Sequence, residues 1–318
     1  MPAPAVGPFT LSSFRGPSYQ TGAGSGNGGR RRRCYDATVF VDAHTHIFPA
    51  GIGGLRDELS GRDATFRELY GDPKAKLATA TELSAALDRN ATDFAIALGF
   101  AWADPELCRW HNEALIDAAR QDRRIIPFCT VNPAADPATV RLELERCAKV
   151  GVRGIGELRP ESLGLDLAGA AGETLAHCAE ELGMVLLFHA SEPVGHSYPG
   201  KIGGELGALC RFIAAHPRVQ MIIAHWGGGL PFYALMPEVR KALSNTWFDT
   251  AATSLLYEQD VYRRVIDLIG AGRILFGSDF PLLGPRRQMR AMMAAPLSEL
   301  EQAQILGDNA AALFGLKV

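Results

Sequence analysis

The sequence predicts a (β/α)8 barrel, and three observations carry that prediction. Eight short runs rich in Val, Ile, Leu and Phe recur between residues 37 and 279. Stretches with helical spacing of apolar residues separate them, which is the pattern of parallel βα units. Several of the runs finish on a histidine or a carboxylate, at the strand end where barrel enzymes hold their chemistry. An open doubly wound sheet is the competing arrangement, but no GxGxxG follows the first run.

The strands are expected at ATVFVDAH (37–44), DFAIALGF (93–100), IIPFCTVN (125–132) and VRGIGEL (152–158). They continue at MVLLFHAS (184–191), VQMIIAHW (219–226), TWFDTAA (246–252) and RILFGSD (273–279). Helical periodicity marks ATELSAALDRN (80–90), PATVRLELERCAKVG (137–151) and AGETLAHCAEELG (171–183). The same holds for IGGELGALCRFIAAHP (202–217) and EQDVYRRVIDLIGAG (258–272). The last stretch, residues 298–316, reads as one or two helices closing the barrel. No internal repeat is visible.

Composition narrows the function classes. The chain has 318 residues, 47% hydrophobic and 21% charged, with a formal net charge of −3. Such a balance offers no general attraction to nucleic acid or an anionic membrane. No apolar run approaches the roughly 18 residues that span a bilayer. Six cysteines are scattered without a CxxC pair, which suits reduced thiols in the cytoplasm, with Cys129 and Cys178 filling core space. Residues 1–36 differ from the rest, being Gly/Ser-rich with Arg30 to Arg33 in a row. No apolar stretch follows those arginines, so they form no secretory or twin-arginine signal. A disordered tail is expected there, the alternative being a basic arm that touches RNA or membrane; residues 37–318 make the barrel domain.

His44 and His46 end the first strand, Glu157 the fourth, His189 the fifth, His225 the sixth and Asp279 the eighth. Residues i and i+2 share a face of a strand, so His44 and His46 can point together into the barrel mouth. Imidazoles and carboxylates converging there make a site for a divalent cation. Zn²⁺ suits so nitrogen-rich a set best, with Mn²⁺, Ni²⁺ and Fe²⁺ open.

HTH at 44–46, FHAS at 188–191, AHWGGG at 224–229 and FGSDFP at 276–281 together resemble the amidohydrolase superfamily, in its amidohydrolase-2 branch of decarboxylases and lactonases. The resemblance runs over about residues 38–315. It implies that His44, His46, His189 and Asp279 bind metal, and that His225 is a second ligand or an acid/base residue. It leaves a homodimer open. Glu157 either faces inward and, with His225, shares a second ion, or pairs with Arg153 or Arg159 at the rim; one ion is the expectation. A bound Zn²⁺ brings the pKa of its water to about 7. Asp279 then accepts a proton while His225 polarises a carbonyl or donates to the leaving group.

The loop HASEPVGHSYPGK (189–201) supplies Glu192, His196, Tyr198 and Lys201 to the mouth, a polar set suited to a small anionic or hydroxylated substrate. Arg159 is a further candidate for a substrate carboxylate, against a surface ion pair. Trp226, with Phe232 and Tyr233, either contacts substrate or packs on the barrel top, and three glycines beside it allow backbone to approach a ligand. Asp249 bonds a ligand-holding histidine or the substrate, or else shapes the strand-7 turn. His111, His177 and His216 are read as structural. Hydrolysis of a C–O or C–N bond in a small carbonyl compound is the leading reading. Non-oxidative decarboxylation is the alternative, and a cationic clamp for a carboxylate would favour it. A nuclease is a poor third, disfavoured by the slightly acidic body, and a non-catalytic metal-binding barrel is the non-enzymatic alternative.

Overall fold

Val, Ile, Leu and Phe concentrate in the eight runs because each strand is covered on both faces, by the barrel interior and by helices. The computed structural model describes residues 39–201 and 206–317, so the tail expected at 1–36 lies outside the described residues. The strands are β1 (Val41–His46), β2 (Phe94–Leu98), β3 (Ile125–Cys129), β4 (Gly154–Leu158), β5 (Val185–Phe188), β6 (Met221–Ile223), β7 (Thr246–Asp249) and β8 (Ile274–Leu275). Each pairs in parallel with the next, in the order β1 to β8. Past β8 the chain lies against β1: Ala43 N donates to Phe276 O and His46 N to Phe280 O, both at 2.7 Å, which brings the sheet round on itself. This is the TIM barrel that the alternating pattern predicts.

Val41, Ile96, Phe128, Leu187, Ile222 and Leu275 fill the interior, joined at the bottom by Phe314. The C-terminal stretch runs as helix Glu299–Ala303, a π turn Gln304–Asp308 and helix Asn309–Phe314. Its Phe314 ring meets Phe128 edge-on at 5.8 Å, and its carbonyl accepts from Arg153 at 2.9 Å, so this tail closes the barrel floor as expected. Arg153 is thereby used at the end of the barrel away from the mouth.

Caps set several helix starts. Asp136 accepts from Thr139 N at 2.9 Å ahead of helix Pro137–Lys149, and Thr79 with Glu82 forms a capping box before Ala80–Asn90. Between β1 and the Ala80–Asn90 helix the chain inserts two further helices, Arg56–Arg62 and Ala64–Tyr70, which the sequence reading did not place. Among the described residues, Cys108, Cys129, Cys147 and Cys178 are buried free thiols, and Cys210 is a free thiol at intermediate depth. No helix among them is long and apolar enough to cross a membrane.

β6 and β8 stop short of the residues that matter. His225 and Asp279 lie on turns just beyond, with φ of 56° and 64°. Non-glycine residues adopt this left-handed region at a cost, and such positions cluster at functional sites.

Candidate active site

His44 anchors the mouth. Its Nδ1 bonds Asp249 Oδ2 at 2.8 Å with both side chains fully buried, which turns Nε2 toward the barrel axis. A carboxylate behind a histidine fixes its tautomer and strengthens Nε2 as a donor to a metal. Burial opposes charge on His44, but Asp249, Glu157 and Asp279 outweigh it and lift its pKa to about 10. Asp249 also accepts from the backbone N–H of His225 and of Ala251, each at 3.0 Å, so it bonds the histidine and shapes the turn at once.

His46 Nε2 lies 3.1 Å from His44 Nε2, and Asp279 Oδ1 lies 3.8 and 3.7 Å from the two nitrogens. Donors about 2.0–2.2 Å from one ion stand roughly 2.8–3.6 Å apart in octahedral or tetrahedral geometry, so this set fits a divalent cation with slight contraction. His46 Nδ1 is buried without a partner among the described residues, so what sits at Nε2 decides which nitrogen carries the proton. Glu157 faces inward. Its carboxylate lies 3.0 Å from His189 Nδ1, 3.4 Å from His225 Nε2, 3.6 Å from His46 Nε2 and 3.9 Å from His44 Nε2. Burial alone would raise its pKa, yet His189, His225 and His44 hold it well below the usual carboxylate range. No rim ion pair to Arg153 or Arg159 forms.

The facing donors fall into two overlapping sets, His44–His46–Asp279 and His44–Glu157–His225. His189 belongs to neither. Its Nδ1 bonds Glu157, while its Nε2 bonds Ser191 Oγ at 3.0 Å, so it reaches the cage through Glu157. Burial is the main reason its pKa falls to about 4, leaving a neutral ring. His225 moves the other way: burial opposes its charge, but Glu157 beside it raises its pKa.

A cavity of about 490 Å³ opens over this cage. His46, Glu157, His189, His225 and Asp279 form its polar end, and Leu69, Phe100, Leu255, Leu256, Pro281 and Leu282 contribute apolar wall. A family model described as Amidohydrolase matches residues 41–316, nearly the whole of the described barrel.

The chain belongs to the amidohydrolase family.

Solved structures resemble this amidohydrolase over its length. A 5-carboxyvanillate decarboxylase from Novosphingobium aromaticivorans, solved with manganese and 4-hydroxy-3-methoxy-5-nitrobenzoic acid, matches with a TM-score of 0.73 at 18% identity, covering 89% of this chain and 97% of its own. A 2,6-dihydroxybenzoate decarboxylase from Rhizobium matches at 0.65 and 20% identity, covering 87% and 98%. A probable 2-pyrone-4,6-dicarboxylic acid hydrolase from Acinetobacter baumannii, with citric acid bound, matches at 0.60 and 17% identity, covering 87% and 99%. At these identities the likeness shows the shared barrel.

Of the substrate residues expected in this amidohydrolase, Arg159, His196 and Tyr198 line the cavity. Arg159 is 4% exposed and donates Nη2–H to Gly200 O at 2.8 Å, so it is no surface ion pair. Its Nε is buried and unpartnered among the described residues. Glu192 and Lys201 serve the loop instead. Glu192 accepts from Tyr198 OH at 2.9 Å, and Lys201 Nζ donates to Val194 O and His196 O at 2.6 and 2.8 Å.

Of the two places expected for Trp226, the structure gives it the packed one. It is fully buried, packs edge-on against Tyr262 at 5.1 Å and donates Nε1–H to Thr253 Oγ1 at 2.8 Å. The left-handed backbone at His225 and Trp226 turns that ring away from the mouth and into the core. Close packing accounts for two of the glycines after it, since a Cβ on Gly227 or Gly228 would stand 2.6 Å from Phe248 Cε1 or Ser191 O. Phe232 and Tyr233 are 40% and 50% exposed and do not line the cavity. Tyr70, Lys76 and Phe100 do line it, and the sequence reading missed all three. Tyr70 and Lys76 sit in the β1 insertion, where only the placement of that insertion over the mouth could have revealed them.

His111, His177 and His216 stand outside the cage. His177 and His216 lie 3.1 and 3.6 Å from Glu181 and Glu173. His111 is fully buried, with its Nε2 donating to Ile47 O at 2.7 Å and its Nδ1 accepting from Trp102 Nε1 at 3.0 Å. Burial pushes its pKa down to about 4. An unfolded chain with histidine near 6.5 takes up that proton first as pH falls, so the stabilisation present at pH 7 is lost between about pH 6.5 and 4. Unfolding free energy measured by denaturant should fall by roughly 3 kcal/mol over that window through this group, and His111→Phe should remove that part of the slope.

Proposed function

We propose that this amidohydrolase is a metal-dependent, non-oxidative carboxy-lyase acting on a small acid with an aromatic or unsaturated body. The observation that carries the reading is Arg159: a buried guanidinium with an unpartnered Nε, set in the wall of a largely apolar cavity over an imidazole–carboxylate cage. His44, His46 and Asp279 would hold one ion, with Glu157 the next donor inward and His189 behind it. Mn²⁺ or Zn²⁺ at that place supplies a Lewis acid that draws charge from a substrate oxygen. The decarboxylase relatives solved with manganese make Mn²⁺ the first ion to try.

The chain's own groups do the rest. Arg159 binds the carboxylate, and Phe100, Leu255, Leu256 and Leu282 strip water from it. His225, whose pKa is raised beside Glu157, carries the proton that goes to the carbon bearing the carboxylate. The C–C bond then breaks, its electron pair staying on that carbon as CO₂ departs. Hydrolysis of a small lactone or amide is the second reading, favoured by Asp279 and His225 facing one cage as base and acid. The buried free thiols suit a reducing compartment such as the cytoplasm.

The test loads the protein with Mn²⁺ and offers 5-carboxyvanillate, 2,6-dihydroxybenzoate and 2-pyrone-4,6-dicarboxylate, reading CO₂ release and acid release. CO₂ release from an aromatic acid is expected, with about one ion bound per chain. Ring opening of the pyrone without CO₂ would overturn the reading in favour of hydrolysis. Arg159→Met should raise KM for the acid by about a hundredfold, the loss of a buried charge-assisted hydrogen bond, while bound metal is unchanged.

A further inference from the structure

Three elements meet at Gly200. Its N–H donates to Glu68 Oε1 at 2.8 Å, and its carbonyl accepts from Arg159 Nη2 at 2.8 Å. Its φ is 85°, and a Cβ there would stand 2.6 Å from Leu69 Cδ2 and 3.5 Å from Arg159 Nη1. Pro193 to Ser197 are exposed, whereas Gly200 is buried between the helix Ala64–Tyr70 and the end of β4. Glu68 itself does not line the cavity, though its neighbours Leu69 and Tyr70 do.

We infer that Glu68 is a positioning residue, which fixes Gly200 and through it the guanidinium of Arg159. The inference rests on the reading of Arg159 as the group that takes the substrate carboxylate. An arginine side chain has many rotamers, and ordering it at the moment of binding costs affinity. Here the Gly200 carbonyl holds one nitrogen in advance, leaving the rest of the cavity-lining guanidinium for the acid. Gly200 can serve only if its own peptide is held, and Glu68 holds it from the opposite side through a charge-assisted bond. The β1 insertion and the β5 loop are thereby joined across the mouth, so loop docking and carboxylate binding share one guanidinium.

The experiment compares the wild type with Glu68→Ala, Glu68→Gln and Gly200→Ala. It reads hydrogen exchange of residues 198–201 and the binding of benzoate and its neutral counterpart benzamide. In Glu68→Ala both the exchange rate and the benzoate Kd should rise about tenfold, the scale of one lost charge-assisted bond, with bound metal and unfolding midpoint unchanged. Glu68→Gln keeps an acceptor for Gly200 N and should restore both. Gly200→Ala, strained at this φ and crowded by Leu69, should behave like Glu68→Ala. Unchanged exchange, or unchanged benzoate affinity, in Glu68→Ala overturns the inference. Equal binding of benzoate and benzamide by the wild type would instead remove the carboxylate reading of Arg159, with the exchange rates still deciding whether Glu68 holds the loop.

Discussion

Asp279→Asn should leave the barrel folded and lower turnover by about a thousandfold. Asparagine tolerates the left-handed backbone that Asp279 adopts at φ 64°, and the backbone bond from its N–H to His44 O at 2.9 Å is unaffected. What changes is the charge facing His44 and His46 at 3.8 and 3.7 Å. A neutral amide there weakens the hold on a divalent ion, typically by ten- to a hundredfold, and removes a proton acceptor from the mouth. Measuring kcat at saturating Mn²⁺ alongside bound metal separates the two effects. A variant that regains wild-type kcat once saturated would show Asp279 acting on the ion alone. A kcat still depressed at full loading places Asp279 in the chemistry itself.

That residue also shows how far the sequence could be read. Eight apolar runs alternating with helical ones specify the barrel, because parallel strands covered on both faces tolerate little else. HTH on the first strand, with FHAS, AHWGGG and FGSDFP arriving later, identifies the ends that meet at one mouth. Which face a residue takes is harder. Counting by twos fails across a register shift, and both β1 and β4 carry one, between Asp42 and Thr45 and between Ile155 and Leu158. The inward turn of Glu157 was therefore beyond counting. The two alternatives for Trp226 stayed open for a related reason, since five consecutive positive φ values from His225 to Gly229 undo the alternation that β6 starts. Tyr70, Lys76 and Phe100 reach the cavity by tertiary placement, which leaves no local mark.

The deepest support of the cage predicts the other large effect. Asp249→Asn should cost at least a hundredfold in metal affinity and on the order of a thousandfold in turnover. Asparagine is nearly isosteric, and its oxygen can still accept from His225 N and Ala251 N, so the turn after β7 survives. Its NH₂ group then faces His44 Nδ1 at the 2.8 Å now spanned by the carboxylate. Two donors cannot share that contact, so His44 must move its proton to Nε2. The proton then points at His46 Nε2, 3.1 Å away, and occupies the lone pair that would face the ion. Chelator competition for Mn²⁺ reads the affinity directly. Retention of wild-type affinity would mean that His44 does not ligate through Nε2. Because Asp249 also raises the pKa of His44, the same substitution should lower it, visible as a shifted imidazole titration in metal-free protein. A tautomer effect predicts that affinity and titration change together, whereas simple loosening of the turn would weaken metal binding and lower the unfolding midpoint with His44 still titrating high.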